Sequence, residues 1–458
     1  MVNQKLIAFE EGMKGKKVTV IGIGISNLPL IKYLVELGAK VTACDKREKE
    51  KLGDNYNLLK GLGVKLNLGE NYLEDIDAEI IYKTPGMRYD VKELVDAKEK
   101  GAIITSEMET FFDLCPANII AVTGSDGKTT TTTLIHKMLT NNGYKTWLGG
   151  NIGNPLLTSV GDMEKDDWVV LELSSFQLHT MKKSPEIAVM TNITPNHLDM
   201  HKSYQEYIDA KKNIMLYQDS DSVLVVNSEN DVTNEIGKSA KGELRNFSSK
   251  GDALIHLRDN FICYGDIKII DINDIKLPGM HNVENYMAAI GAVYDLVDIK
   301  DILEVAKTFG GVEHRIELVR EKDGVTYYNS SIDSSPNRTI NTLKVFKEKV
   351  IMISGGKDKG IPYDEIGEPI INGVKTLILI GATSDAIENA VKNAYRKLKI
   401  ESSVKILRAK TYEEAVTLAK ENASAGDKVL LSPASTSFDM FNNFEERGNL
   451  YKKLVNEL

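Results

Sequence analysis

The stretch Ile119-Ile120-Ala121-Val122-Thr123-Gly124-Ser125-Asp126-Gly127-Lys128-Thr129-Thr130 restricts what this chain can fold into more than any other. An apolar, β-branched run ends at Val122, a glycine-flanked turn follows, and a segment with helical apolar spacing (Leu134, Ile135, Met138, Leu139) starts near Lys128. The layout is strand, loop, helix. Gly124 and Gly127 allow backbone N–H groups to converge on one point. The helix N-terminus adds partial positive charge, Lys128 adds a full one, and the Thr129 hydroxyl can sit on Mg²⁺. The expected ligand is a nucleoside triphosphate. The loop is shorter than the standard G-x-x-x-x-G-K-[ST], because Val122 occupies the first-glycine position. The plainer alternative is a Gly-Lys-Thr turn opening an ordinary helix.

At 458 residues the chain is too long for a single core, and about three domains of ~150 residues are expected. A formal net charge of −9 argues against sequence-independent nucleic-acid binding, so anionic ligands must be held by local clusters of Lys, Arg and N–H groups. Cys44, Cys115 and Cys263 are few, odd in number and far apart, which fits a reducing compartment and small buried hydrophobes better than a metal site. Residues 1–17 hold no signal-type apolar core, and no run approaches the ~18 residues of a membrane span, so a cytoplasmic protein is expected.

In the first third, Val18 to Asn27 is a strand running into the glycine turn Gly22-x-Gly24. Leu28 to Leu37 has helical spacing closed by Gly38, and Val41 to Asp45 is the next strand. An acidic residue about twenty positions after the glycines resembles a dinucleotide fingerprint, but Asn27 stands at the third glycine. A diphosphate at the helix N-terminus is the expectation, with no redox chemistry implied. Glu79 to Tyr82 and the turn Lys83-Thr84-Pro85-Gly86 form another strand with a loop at a sheet's carboxyl edge, where open parallel sheets bind ligands.

In the middle third, Leu148 to Pro155 reads as a Gly/Asn-rich loop able to approach a ligand closely. Glu172 ends the apolar run Trp168 to Leu171. A charge there is costly unless paired, so Glu172 reads as a partner of Mg²⁺ or water; a Glu facing solvent from an edge strand is the alternative. Ala188 to His201 is a further strand followed by a polar loop in which His197 can offer a ring nitrogen to a metal or a phosphoryl oxygen. Tyr204 to Tyr217 has helical spacing and contains Lys211, which alone would pass for a solvated helix face. Leu277 to Asn285 opens another helix, where Asn282 could serve as a cap.

In the last third, the glycine-rich Gly310 to Arg315 follows a helical segment and marks a boundary. Strands at Val325, Val350, Leu377 and Val429 alternate with helical stretches, again a parallel α/β pattern. The loops Ser354 to Lys359 and Ser432 to Asp439 combine a cation with hydroxyls before a helix, which suits a small dicarboxylate. Ser437 as a helix cap and Phe444 as core are the plain readings.

The combination Gly124-Ser125-Asp126-Gly127-Lys128-Thr129, Gly150-Asn151-Ile152-Gly153, Leu171-Glu172-Leu173-Ser174-Ser175-Phe176-Gln177-Leu178 and Asn196-His197-Leu198-Asp199 resembles the Mur ligases, ATP-dependent enzymes of peptidoglycan assembly. The resemblance spans nearly the whole chain in the family's motif order. It implies three α/β domains: an N-terminal Rossmann-like UDP-sugar domain (1–105), a central P-loop-type ATPase-like parallel sheet (106–312) and a C-terminal Rossmann-like amino-acid domain (313–458). Gly124 to Thr130, with Thr130 included, match the ATP loop; Asn282 lies where the family has an asparagine near adenine, and Arg315 where an arginine reaches the γ-phosphate. Thr129 and Glu172 match the holders of one Mg²⁺, and His197 and Lys211 the region of a second. The lysine matching Lys211 is carbamylated in the family, which makes chemical sense because an ammonium repels Mg²⁺ and a carbamate supplies anionic oxygen. Ser26, Asp45, Lys46, Arg47, Thr84 and Gly86 line up with the UDP-sugar site, and Asn151 also falls at a substrate position. Ser334, Lys359, Ser437, Phe438 and Phe444 match the D-glutamate site.

The implied partners are UDP-N-acetylmuramoyl-L-alanine and D-glutamate, with ATP, Mg²⁺ in two positions, no nucleic acid and a monomeric chain. The implied reaction is attack of a substrate carboxylate on the γ-phosphate, then attack of the amine on the acyl phosphate. Lys128, Arg315 and Mg²⁺ offset charge, and His197 is a candidate base. The chain departs from the family at Asp126, usually Asn, and at Ser330 and Ile332, where most relatives carry Asp and Lys. Rival readings are a ligase of the same group using another amino acid or a folate, a nicotinamide-dependent oxidoreductase built on Gly22-x-Gly24, and a nucleotide-driven switch.

Overall fold

The computed structural model describes residues 3–458 apart from Ile25, Asp75, Asn154, 197–199, Pro278, 359–361 and Ser402. His197 and Lys359 therefore lie outside the described residues. The chain is an α/β protein with three sheets, and it divides into two compact units, Met1–Thr308 and Phe309–Leu458.

The first unit carries two sheets. The first contains β1 (Lys17–Ile21), β2 (Lys40–Asp45), β3 (Lys65–Leu68), β4 (Ile80–Tyr82) and β5 (Ile103–Thr105), in the order β3-β2-β1-β4-β5, all parallel. The chain winds outward from β1 to β3 and then returns to β4, so the topological switch lies between β1 and β4, and the loops after these two strands flank a crevice. The second sheet contains β6 (Asn118–Thr123), β7 (Thr146–Gly150), β8 (Trp168–Glu172), β9 (Ile187–Met190), β10 (Val223–Asn227), β11 (Glu243–Ser248), β12 (Ile255–Arg258), β13 (Phe261–Tyr264) and β14 (Ile267–Asp271). Its order is β14-β13-β12-β11-β10-β9-β6-β8-β7. The parallel pattern expected from sequence holds as far as β12; β13 and β14 extend the sheet antiparallel. Ile120, Ala121 and Val122 of β6 are fully buried, as a central strand covered on both faces requires, and Ile120 and Val122 each contribute ~1.5–3 kcal/mol.

One continuous core runs from Val20 and Leu34 at the first sheet through Phe111 to Val160 and Leu171 at the second. The connecting helix Glu107–Leu114 is fastened to the short helix Leu157–Asp162 between β7 and β8 by Glu107, whose carboxylate accepts the Leu157 N–H at 3.0 Å. Burial pushes the Glu107 pKa up to about 7, against the lowering effect of the amides of Leu157 and Leu156. A carboxyl whose pKa is raised on folding binds more protons folded than unfolded, so its contribution to stability falls as pH rises from ~4.3 to about 7 and is level above that. The expected cost of ionising it is on the order of 2 to 4 kcal/mol. Thermal midpoints measured at about pH 5 and about pH 8 should therefore drop further in the wild type than in Glu107→Gln. Equal drops would contradict this reading.

The second unit holds β15 (Glu317–Lys322), β16 (Val325–Asn329), β17 (Val350–Ser354), β18 (Val374–Leu379), β19 (Lys405–Arg408) and β20 (Lys428–Leu431), in the order β15-β16-β20-β17-β18-β19. Only β15 is antiparallel. Alternate residues feed two cores: Val350, Met352, Leu377 and Leu379 face one side, and Ile351, Ile353, Ile378 and Ile380 the other.

Candidate active site

The ends of β6, β7, β8 and β9 are neighbours at one sheet edge, with Val122 in register with Glu172 and Gly150 in register with Glu172. The helix Lys128–Asn141 starts directly after the β6 loop, with Gly127 as its N-cap at φ 79°. A Cβ on Gly127 would come within 2.4 Å of Asn285 Oδ1, and one on Gly124 within 1.9 Å of Thr191 Oγ1, so the loop closes this tightly only with glycine at both positions. The first bond of the helix runs from Thr131 N–H to the Gly127 carbonyl, leaving the amides ahead of it outside the helical ladder, where an anion can use them.

One part of the expected cradle is corrected. The Ser125 N–H bonds the Asn192 carbonyl at 2.7 Å, and the Asp126 N–H bonds Asn192 Oδ1 at 3.0 Å. These two amides hold the loop to the segment after β9, so the helix-end amides from Gly127 onward are the ones left for an anion. Lys128 Nζ lies over the loop and donates to the carbonyls of Gly124 (3.0 Å) and Ser125 (2.8 Å).

Glu172 is 2% exposed and sits on β8 between β6 and β7, which removes the edge-strand alternative. Its carboxylate accepts the Thr129 hydroxyl at 2.7 Å and the Asn151 amide at 2.9 Å. A buried carboxylate beside a hydroxyl and an amide oxygen is a hard-oxygen donor set that suits Mg²⁺. The expected loop from Leu148 is partly strand, because β7 runs to Gly150 and the loop starts at Asn151.

Lys211, on the helix Tyr204–Leu216, is 2% exposed rather than solvated. Nζ donates to the Gly124 carbonyl at 2.7 Å and to Thr123 Oγ1 at 3.2 Å, and lies 4.9 Å from the centre of the Tyr207 ring. Burial and, next, the charge of Lys128 hold its pKa well below the ordinary lysine value, with Glu172 and Asp126 opposing. This favours the neutral, nucleophilic amine.

Next to the loop is a cavity of about 170 Å³ lined in part by Asn192, Asn227, Phe247, His281, Glu284 and Asn285. An aromatic face with amide and carboxylate edges suits a base or ribose. Asn282 lies on the helix Met280–Val293 beside this wall, and it is not the cap, which is Gly279; its Oδ1 accepts from Asn285 Nδ2 at 3.2 Å. Sequence pattern does not single out Asn227 and Phe247, although Asn227 is a strand end like the others.

At the switch point of the first sheet, Gly22 has φ 90°, and a Cβ there would meet Thr84 Cβ at 3.0 Å, so glycine lets the two loops pack together. Asp45 accepts the Ile23 N–H at 2.8 Å and both the backbone N–H and Nε of Arg47. Burial pushes the Asp45 pKa up, but these bonds outweigh it and leave it at about 2. Asp45 is thus spent on shaping the loop, while Arg47, 41% exposed at its side chain, keeps a face for an anion. Ser26, Lys46 and Gly86 are exposed around it. Arg88, just past this loop, pairs with Glu206 at 2.8 Å, joining it to the helix that bears Lys211. Among the described residues, His179, His201 and Glu206 form one group with metal-binding side chains, but Arg88 already engages both Glu206 oxygens.

In the second unit, Ser334 and Ser437 follow β16 and β20, with Ser437 buried and Phe438 59% exposed. Neither plain reading stands: Asn443, not Ser437, caps the helix Phe444–Glu457, and Phe444 is half-buried, edge-on to His314 at 5.9 Å. Arg315 is exposed in the turn before β15.

A glycine-bounded cradle with a carboxylate at the adjoining strand end defines a nucleotide-binding α/β protein. The chain belongs to the Mur ligase family, matching its MurD-like N-terminal domain at residues 16–106, its middle domain at 122–293 and its glutamate ligase domain at 314–435. It is 55% identical to the UDP-N-acetylmuramoylalanine--D-glutamate ligase of Ruminiclostridium cellulolyticum over 464 residues, covering 100% of both chains. It is 53% identical to the ligase of the same name from Acetivibrio thermocellus, again over 100% of each. Among solved structures, UDP-N-acetylmuramate-alanine ligase from Thermotoga maritima shares the fold at TM-score 0.54 and 19% identity, covering 96% of this chain and 99% of that one.

Proposed function

We propose that this chain is an ATP-dependent ligase that joins D-glutamate to UDP-N-acetylmuramoyl-L-alanine, in three regions (1–105, 106–312, 313–458) serving the nucleotide sugar, ATP and the amino acid. The observation that carries the reading is the Lys128–Thr129–Glu172 cradle, in a chain 55% identical to a ligase named for that reaction. Carboxylate and ammonium do not condense unaided. A carboxylate oxygen of the muramoyl-alanine substrate attacks the γ-phosphorus, the bond to the bridging β,γ-oxygen breaks, and ADP leaves. The D-glutamate amine then attacks the acyl carbonyl, and phosphate departs as the amide forms.

Lys128 and the helix-end amides hold the triphosphate and offset its charge, and Arg315 is assigned the γ-phosphate as well. Thr129 and Glu172 hold Mg²⁺, which neutralises phosphate charge when bound. Lys211 reacts as a neutral amine with CO₂: a new N–C bond forms, a proton passes to solvent, and the carbamate provides oxygen for a second Mg²⁺ together with His197. His197 is also the candidate base for the incoming amine. Ser26, Arg47, Thr84 and Gly86 take the UDP-sugar, aided by Lys46, Asn151 and the loop held by Asp45. Ser334, Lys359, Ser437, Phe438 and Phe444 take D-glutamate. The three cysteines are free, which suits a cytoplasmic enzyme.

The test is phosphate release from ATP with the muramoyl-alanine nucleotide and one amino acid at a time. Rapid release is expected with D-glutamate alone. Equal release with L-alanine, L-lysine or diaminopimelate in its place would overturn the specificity.

A further inference from the structure

Arg447 has no part in the mechanism above, yet it is one of the largest side chains in the protein with no exposure to solvent. It projects from the helix Phe444–Glu457. Nε donates to Ser331 Oγ at 3.0 Å, Nη2 to the Ser331 carbonyl at 2.8 Å, and Nη1 to the Ser435 carbonyl at 3.0 Å. Ser331 Oγ in turn donates to the Phe444 carbonyl at 2.7 Å, returning the network to the helix. A Cβ on Gly356, whose φ is 152°, would stand 3.3 Å from Nη1. One guanidinium thus bonds the loops after β16 and β20 and lies against the loop after β17, three neighbouring strands of this sheet.

The partners it bonds are two carbonyls and a hydroxyl, with the Tyr412 phenol beside them, all neutral. A guanidinium stays protonated at any ordinary pH, so a full positive charge is fixed beneath these loops with no carboxylate bonded to it among the described residues. Asp439 and Asp333 act on it only through space, and burial keeps the pKa of Asp333 above the usual carboxylate value. In a low-dielectric floor such a charge favours an anionic occupant above it.

We propose that Arg447 is a positioning residue for the amino-acid acceptor: it pins the loops after β16 and β20 together beside the loop after β17, and its charge biases that floor toward an acceptor bearing two carboxylates. This rests on the reading that these loops take D-glutamate. It adds a residue whose effect should fall on the acceptor alone.

The experiment is steady-state kinetics of the full chain with each substrate varied in turn, for Arg447→Met, Arg447→Lys and Ser331→Ala. Arg447→Met should raise KM for D-glutamate about 10-fold or more and leave KM for ATP within about twofold. Arg447→Lys, which keeps charge but not the fork, should fall between it and wild type, and Ser331→Ala should raise the acceptor KM a few-fold. Should Arg447→Met fail to fold, the other two variants carry the test. Parallel increases in every KM, or an unchanged acceptor KM with only less folded protein, would overturn the proposal. Failure of the underlying reading is separable, because wild type itself would then show no dependence on D-glutamate.

Discussion

Lys128→Ala should lose turnover by about 10³-fold while the protein stays folded. The ammonium bonds the Gly124 and Ser125 carbonyls, which holds it over the loop that the proposed function assigns to the triphosphate. Removing one preorganised cation from a phosphoryl-transfer site costs up to about 4 kcal/mol of transition-state stabilisation, which is that loss in rate. The backbone of the loop is held independently, by Asn192 on the Ser125 and Asp126 amides and by the Ser125 hydroxyl, which lies 2.9 Å from the Tyr207 hydroxyl. The thermal midpoint should therefore shift by only a few degrees. Phosphate release and circular dichroism on the same preparation check both halves. A folded variant retaining more than about a tenth of wild-type kcat would remove Lys128 from the chemistry.

Lys211→Ala should be as severe, for a different reason. The amine is buried against Gly124, Thr123 and Tyr207, and burial together with the Lys128 charge lowers its pKa, which favours the form that reacts with CO₂. On the proposed reading the carbamate would turn a repelled cation into an anionic oxygen ligand, so loss of the side chain would remove that ligand. The vacated space admits a small carboxylate, and added formate should restore part of the lost activity. Lys211→Arg, which cannot take up CO₂, should be as inactive as the alanine variant. Near-normal turnover in Lys211→Arg would rule out the carbamate.

How much of this is legible in the sequence depends on how local the signal is. The β6 loop, the strand ending at Glu172 and the helix bearing Lys211 all rest on short-range pattern: apolar runs, a glycine turn, helical spacing. The strands β11 to β14 do not stand out, because they are four to six residues long and half polar, as in Glu243–Ser248, where Glu243 and Leu244 are exposed. Nor does the capture of two loop amides by Asn192, since it joins positions 66 residues apart for Asp126. Arg447 is further still, 116 residues from Ser331. Its helical spacing puts it on the same face as Tyr451 and Val455, but an arginine in such a row ordinarily reads as a solvated edge. Lys211 fails the other way: helical pattern places it, but only the packing of its helix against β6 buries it.

The most direct measurement is to follow oxygen. With ¹⁸O in the alanyl carboxylate of the muramoyl substrate, and ATP and D-glutamate supplied, an acyl phosphate must leave one labelled oxygen in the released phosphate and the other in the new amide carbonyl. Label is expected in phosphate, formed at the full rate only by protein with Lys128 intact. Product made with the departing labelled oxygen found in water and none in phosphate would contradict it.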